Sequence, residues 1–210
     1  MGTSLDHGKI ARALSDRAKL FEGTVEKVGI PAGKNYPDGT SIAYVAAIQE
    51  FGADVPAHTV RSKGKALAIP TKNGTVLRKS ANIPAFTIPP RPAFRLTRAA
   101  KAREWARLMA EGAVAVVKRR IGLHDMLDGV GMVAASDVVA TIAAGLAPPL
   151  KPSTVEDRIR RAQKANSKFG IKSVPVTISQ PLNDSGALIA HVSYGTGQAG
   201  ATFENGRAIK

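Results

Sequence analysis

The stretch RPAFRLTRAAKAREWARLMAEGAVAVVKRR, residues 91–120, decides how this chain folds. Pro89, Pro90 and Pro92 lead into it, and proline suits a first helical turn, where its missing N–H has no partner to lose. Beyond them Leu96, Ala99, Ala102, Ala106, Met109, Ala113, Val116 and Val117 recur at steps of three and four. That is the spacing of one apolar helix face, so this side is expected to meet the core. Arg95, Arg98, Lys101, Arg103 and Arg107 mostly fall off the stripe, and residues 91–120 hold nine basic side chains against two acidic ones, Glu104 and Glu111. The reading is a long basic helix with one apolar side.

Working outward, a second helical pattern covers about residues 125–144, with Met132, Ala135, Val139, Ile142 and Ala143 as its stripe. Gly145 is expected to end it, and Pro148-Pro149 forbids continuation. Ser153 and Glu156 stand at capping-box spacing and start a helix that runs to about Gln163. Upstream, residues 4–21 are helical in pattern, with Gly23 as the stop, and residues 25–30 read as a strand. Residues 41–51 are a further helix, with Ile42, Val45, Ala46, Ile48 and Gln49 at helical spacings and Gly52 closing it. Around Asn73-Gly74 two short apolar pieces predict a hairpin over residues 66–77, decorated by Lys63, Lys65, Lys72, Arg78 and Lys79 as an exposed ribbon would be. Residues 189–194 read as a last strand. The sum is an α+β fold. A small antiparallel sheet, made from 25–30, the hairpin and 189–194, is expected to pack on the long helix, with flanking helices and an extended C-terminal arm. The expected organisation is an N-terminal helix (1–23), an α+β core with the hairpin and long helix (24–147), a helix, loop and strand segment completing that core (148–194) and a flexible tail (195–210). Residues 164–179 are polar and poorly patterned and read as a mobile loop.

The 210 residues are 44% hydrophobic but only 5% aromatic, so the core must rest on Ala, Val, Ile and Leu. There is no cysteine, which removes disulfides, thiolate metal sites and a cysteine nucleophile. The first nine residues lack an apolar signal core, and the apolar run 130–150 is interrupted by Ser136, Asp137, Gly145 and two prolines. The expectation is a soluble protein, cytoplasmic when made, with no membrane partner.

Chemistry is sparse. His7, His58, His124 and His191 contain no pair at the spacing of a helical metal site. His124-Asp125 reads as a loop residue beside a helix cap. Gly129-Val-Gly131 is too little for a phosphate loop. Asp184-Ser185-Gly186 reads better as a cap and turn than as an exposed nucleophile. No cofactor, metal, small-molecule substrate or catalytic role is expected. The net charge of +14 attracts polyanions or acidic surfaces. The long helix, through Arg98, Lys101, Arg103, Arg107, Lys118, Arg119 and Arg120, is open to three readings: a solvated face, an acidic protein neighbour, or non-specific contact with DNA backbone.

Three groups of fragments then carry a likeness. They are YVAAIQEFG (44–52); IPPRPAFR (88–95); and PPLKPSTV (148–155) with QPLNDSGAL (180–188) and VSY (192–194). In this order they resemble the phage virion morphogenesis family, the tail-completion or neck proteins of Mu-like and related tailed phages, whose patterns are YAxxxEFG, (I/M)PxRPF(L/F)R, PPLSPxT and PLxDTGxLxxS(I/V)SY. The likeness spans about residues 43–194. Lys151 stands where the family usually has Ser, Ser185 replaces Thr, and 164–179 is longer than usual. The resemblance implies a homo-oligomeric ring at the head–tail junction of a virion, assembled in the host cytoplasm. Its neighbours would be connector or neck proteins on one side and tail tube or terminator proteins on the other. Genomic DNA would pass through it. On this reading Glu50, Phe51, Arg91, Phe94, Arg95, Asp184 and Ser185 are interface candidates. Phe51 and Phe94 are also candidates for filling an aromatic-poor core, whereas Arg91 and Arg95 read as contacts. The alternative is a non-specific nucleic-acid-binding protein that uses the basic helix face.

Overall fold

A computed structural model describes residues 7–62, 64, 67–71, 74–167, 179–182, 186–198, 202–204 and 207–209. In chain order the elements are α1 (His7–Ala18), continued by a 3-10 turn at Lys19–Phe21; β1 (Thr24–Gly29); and α2 (Ile42–Phe51). Six short strands follow: β2 (Ala53–Val55), β3 (His58–Arg61), β4 (Leu67–Thr71), β5 (Gly74–Arg78), β6 (Ser80–Ile83) and β7 (Phe86–Ile88). Then come α3 (Ala93–Val117), α4 (Leu123–Ala143), α5 (Pro152–Ser167), α6 (Ala187–Ala190), β8 (Ser193–Gln198), β9 (Thr202–Glu204) and β10 (Arg207–Ile209). The fold is α+β.

The centre is an antiparallel hairpin of α3 and α4. Asp125 starts α4 by accepting the Gly122 N–H at 3.2 Å, half of a capping box. One core cluster joins Ala93 to Val138, Ile142 and Leu146, and brings in Leu188 with Val28, Val45 and Phe94 around it. A second, at the other end of the hairpin, gathers Val116, Met126 and Leu127 over Phe21. Arg17 of α1 also donates to the Val117 carbonyl there. By length and composition α4 could cross a membrane; here α3 and the β1–β8 pair pack on it.

The face that α3 turns inward differs from the one its apolar spacing predicts. Leu96, Ala99, Ala102, Ala106 and Met109 are exposed, and only Ala113, Val116 and Val117 of that stripe are covered. The buried side instead runs through Ala93, Thr97 and Val116, with Lys101, Trp105, Leu108 and Gly112 half-covered between them. The reason is that α4 offers polar partners. Trp105 Nε1 donates to Asp137 Oδ2 at 2.8 Å, Lys101 Nζ lies 3.7 Å from Asp137 Oδ1, and the hydroxyls of Thr97 and Thr141 meet at 2.7 Å. Hydrogen-bonded polar groups can be buried at little net cost, so this seam does not announce itself as apolar. On α4 too, Met132 and Ala143 are exposed, while Leu127, Gly131, Ala134, Ala135, Val138 and Ile142 face inward.

The expected three-piece sheet does not form. β1 pairs only with β8, antiparallel from Thr24↔Gln198 to Gly29↔Ser193, and this pair packs on α4, not on α3. The hairpin around Asn73-Gly74 exists, as β4 with β5, but it belongs to a separate ribbon. β2 pairs with β7, and β3 with β6 in the same register across the Pro56 and Pro84 interruptions. A Ser62 N–H to Lys79 carbonyl bond (2.9 Å) continues that register. The hairpin β4–β5 then follows after four extra residues on the outgoing side. The region 53–88 is thus one two-stranded arm. The last strand also lies later than expected, after α6, so Gly195–Gln198 belong to the sheet and not to a tail. The long helix is shorter at both ends than residues 91–120, and Lys118, Arg119 and Arg120 follow its C-terminus.

Gly131 sets how closely the sheet approaches α4. A Cβ there would meet the Glu26 carboxyl and, at 2.9 Å, the Tyr194 ring. Alanine favours a helix over glycine by about 1 kcal/mol, but overpacking costs about 1–3 kcal/mol. Gly131→Ala is therefore expected to lower the unfolding free energy by roughly 1 kcal/mol net, read as a lower urea midpoint; an unchanged or raised midpoint would show that the sheet is free to move off the helix.

Candidate functional site

α2 is capped by Ser41, whose Oγ accepts the Tyr44 N–H at 3.4 Å, and stops at Gly52. Gly52 has φ +77°, and a Cβ on it would stand 2.9 Å from the Ile88 carbonyl, so a side chain would pry apart the two ends of the arm's base. The stop leaves Glu50, the next-to-last residue of α2, buried against the start of α3. Pro92, the residue before α3, offers no side-chain cap. Glu50 supplies it from another helix. Its Oε2 accepts the Phe94 N–H and its Oε1 the Arg95 N–H, each at 3.0 Å. A carboxylate there satisfies two orphan donors and meets the positive end of the helix dipole. Arg95 closes the knot: its Nε donates to Glu50 Oε1 at 3.1 Å, another guanidinium N–H donates to the Glu50 carbonyl, and the guanidinium lies 5.0 Å from the centre of the Phe51 ring.

Arg91 is the second knot. It is buried, with its backbone N–H on the Gln49 carbonyl at 2.6 Å. Its Nε donates to the Pro148 carbonyl at 2.9 Å, one terminal nitrogen to Gln49 Oε1 at 3.2 Å and the other to the Pro149 carbonyl at 3.4 Å. Prolines suit this use, because their carbonyls accept while the ring leaves no N–H to satisfy. Burial pushes the Arg91 guanidinium below its ordinary value, and the nearby positive charge of Arg158 adds to the effect. Arg158 is itself buried and donates to the Gln180 carbonyl at 2.8 Å. Between these two arginines opens a cleft of about 530 Å³, bordered by Tyr36, Asp38, Leu150 and Leu188.

The fragments that the sequence sets far apart therefore meet at one place. Glu50 and Gln49 come from the first, Arg91 and Arg95 from the second, Pro148 and Pro149 from the third, with Leu188 beside them. Burial revises two expectations. Glu50 and Arg91 are each only 7% exposed and act as internal struts between α2, α3 and the Pro148-Pro149 turn. Phe51 fills no core: it is 69% exposed, because Gly52 turns the chain before the ring can reach the interior. Phe94 is half-buried at the main core. Arg95 is exposed at its tip. Asp184 and Ser185 lie outside the described residues.

Of the basic residues on and after α3, Arg98, Arg103, Lys118, Arg119 and Arg120 are exposed. Lys101 pairs with Glu104 at 2.8 Å and faces Asp137, which raise its pKa; Arg107 pairs with Glu111 at 3.1 Å. Gln49 and Arg158 were not anticipated. Arg158 was legible, since Val155, Arg158, Ile159 and Ala162 share one helical face. Among the described residues no group of three or more His, Asp or Glu could hold a metal. No family model matches the chain, no curated protein matches its sequence, and no solved structure matches its fold.

A second polar cluster, half-buried, lies between β1, β8 and α4. Thr196 Oγ1 bonds Glu26 Oε2 and also Asp128 Oδ1 (2.9 Å), yet a hydroxyl has one proton to give. The hydroxyl therefore serves one carboxylate at a time, Glu26 Oε2 or Asp128 Oδ1. Burial raises the Glu26 pKa, the Thr196 bond lowers it less, and Asp128 adds to the rise while His124 opposes it. Glu26 Oε1 is buried with no hydrogen-bond partner among the described residues, a smaller cost for a neutral acid than for a carboxylate.

Two outcomes follow. Glu50→Ala removes the only side-chain cap of α3 among the described residues and should cost about 1–2 kcal/mol in a denaturant titration, with Glu50→Gln intermediate; no loss would mean that the first turn of α3 is satisfied without it. For Glu26 the folded pKa lies above the unfolded one. The folded state then holds the proton longer, and the stability of the neutral acid is full below about pH 4 and lost as pH rises through the folded value. Glu26→Gln should therefore melt higher than wild type at about pH 8, and the advantage should vanish near about pH 4; equal melting curves at both pH values would mean that folding does not raise the Glu26 pKa.

Proposed function

We propose that this chain is a structural virion protein of a tailed bacteriophage, a tail-completion or neck subunit that acts in an oligomeric ring joining tail to connector, and not an enzyme. The observation that carries the reading is the convergence of the three motif groups on one hydrogen-bonded knot. Short motifs scattered over 150 residues are weak one by one. When the same residues turn out to be mutually dependent, a common structural reason for the whole set is on the page. Glu50 needs Arg95 and the start of α3, and Arg91 needs Pro148 and Pro149.

The surface beside the knot supports an assembly role. Tyr44 and Phe51 stand on the outer side of α2 at 63% and 69% exposure, and Leu96 at 49% opens the uncovered stripe of α3. Apolar surface of this extent next to a stacked arginine suits contact with other protein chains. A closed ring needs two different patches on each subunit, joined head to tail. The outer side of α2 and α3 can serve as one of them. Both faces of the ring would dock neighbouring particle proteins, and a positive lumen would let DNA pass without reading its sequence.

In sedimentation equilibrium the purified chain, alone or with tail proteins of the same particle, is expected to form closed oligomers. Phe51→Asp with Leu96→Glu should leave folded monomers, with an unchanged far-ultraviolet circular dichroism spectrum. A chain monomeric under every such condition, or a double variant that assembles like wild type, would count against the reading.

A further inference from the structure

The arm formed by residues 53–88 is not used by the knot, the core clusters or the cleft. Among the described residues its two strands pair only with each other, from Ala53↔Ile88 outward, and join no other strand. All four residues of β3 are exposed. A two-stranded ribbon without a third strand or a covering helix is marginal in water, so the arm gains most from a partner.

Charge and face identify the chemistry of that partner. Residues 53–88 contain six basic side chains and one acidic one, Asp54, and no further carboxylate occurs before Glu104. Asp54 sits at the base and is bonded by the Thr87 hydroxyl at 2.7 Å. Arg61, Arg78 and Lys79 are exposed and form no ion pair with any described residue, in contrast to Lys101 and Arg107 of α3. Lys63, Lys65 and Lys72 lie in the same segment, outside the residues whose side chains are described.

In an antiparallel ribbon, directly paired residues share a face, as do residues two apart on one strand. Thr59↔Asn82 and Arg61↔Ser80 therefore fall on one side, and the opposite side carries His58, Val60, Ala81 and Ile83. The Thr59 hydroxyl donates to Asn82 Oδ1 at 2.9 Å, which leaves the Asn82 amide N–H groups pointing away from that bond. Thr, Ser, Asn and Arg are the residue types that bond phosphate and sugar oxygens. The four residues of this face, Thr59, Arg61, Ser80 and Asn82, are all polar, while the exposed apolar side chains Val60, Val76 and Leu77 lie on the other side of the arm or nearer its tip. A two-stranded ribbon also has the width that a B-form major groove admits.

We propose that this arm is a duplex-DNA contact, held on the phosphate backbone by the Arg61, Ser80, Thr59 and Asn82 face, with the long side chains of the adjoining Arg78 and Lys79 adding positive charge at its edge, and independent of base sequence. The inference does not rest on the ring reading. It moves the DNA contact from the long helix, where two of the cations are already paired, to the ribbon.

The test is fluorescence anisotropy of the full chain with a random-sequence duplex over a potassium chloride series. It compares two triple variants that lose equal charge: Arg61→Ser with Arg78→Ser and Lys79→Ser on the arm, and Arg98→Gln with Arg103→Gln and Arg107→Gln on the helix. Wild type should bind, and the arm variant should lose at least about tenfold in affinity at low salt. Its log–log salt slope should shrink by about 2–3, at about 0.9 per phosphate contact, while the helix variant stays near wild type. Equal losses in both variants, loss in the helix variant alone, or no binding by wild type would overturn the proposal. So would tighter binding to poly-glutamate than to the duplex at matched charge, which would assign the arm to an acidic protein. Should the arm variant misfold, ultraviolet crosslinking of wild type to the duplex decides: crosslinked peptides should map within 53–88, and crosslinks confined to α3 would refute it.

Discussion

The carboxylate of Glu50 is the constraint on which the placement of the helices depends. A helix that starts directly after a run of prolines cannot cap itself, because the residue before it has neither a polar side chain nor a free choice of φ. α3 meets that problem with an acceptor from α2, two oxygens on two backbone N–H groups and on Arg95. The position of α2 against α3 then follows from a short-range, directional contact, with apolar packing filling in around it. Arg91 extends the same logic one step further: the proline leader of α3 is tied to the turn that follows α4, so both ends of the central hairpin are held by side chains of one short segment.

Much of this was legible because it is local. Glycine stops, the Asn73-Gly74 hairpin and the proline-bounded helices each depend on a few neighbouring residues, and α2, α4 and α5 appear close to where their patterns place them, although α5 already starts at Pro152, so that Ser153 lies inside it and is not its cap. The inward face of α3 was not legible. Its spacing points to Leu96, Ala99 and Ala102, whereas burial follows Thr97 and Trp105, because Thr141 and Asp137 supply hydrogen bonds that no one-dimensional hydropathy pattern records. Sheet membership was also out of reach. Any antiparallel strands can be drawn together on paper, but β1 and β8 pair across nearly the whole chain, while residues 53–88 fold back only on themselves. At the candidate site the degree of burial was not legible from residue type. Glu50 and Arg91 are charged and look like surface contacts, yet each is buried with its partners; Phe51 looks like core and is outside.

The knot also explains why the uncovered surface is where it is. With Glu50 and Gln49 turned inward, Tyr44, Ala47 and Phe51 necessarily face out, and Arg95 beside Phe51 leads into the exposed side of α3. Apolar exposure there is thus a geometric consequence of the cap, available for protein contact. A chain with net charge +14 repels its own copies, so assembly requires apolar patches and counter-charges from neighbours to offset that repulsion.

The measurement that bears most directly on the assembly reading is electron cryomicroscopy of intact virions compared with particles made without this chain. The account predicts a closed ring of density for it between connector and tail, and, in its absence, filled heads and tails that stay separate. Density elsewhere in the particle, or infectious joined particles assembled without it, would contradict the account.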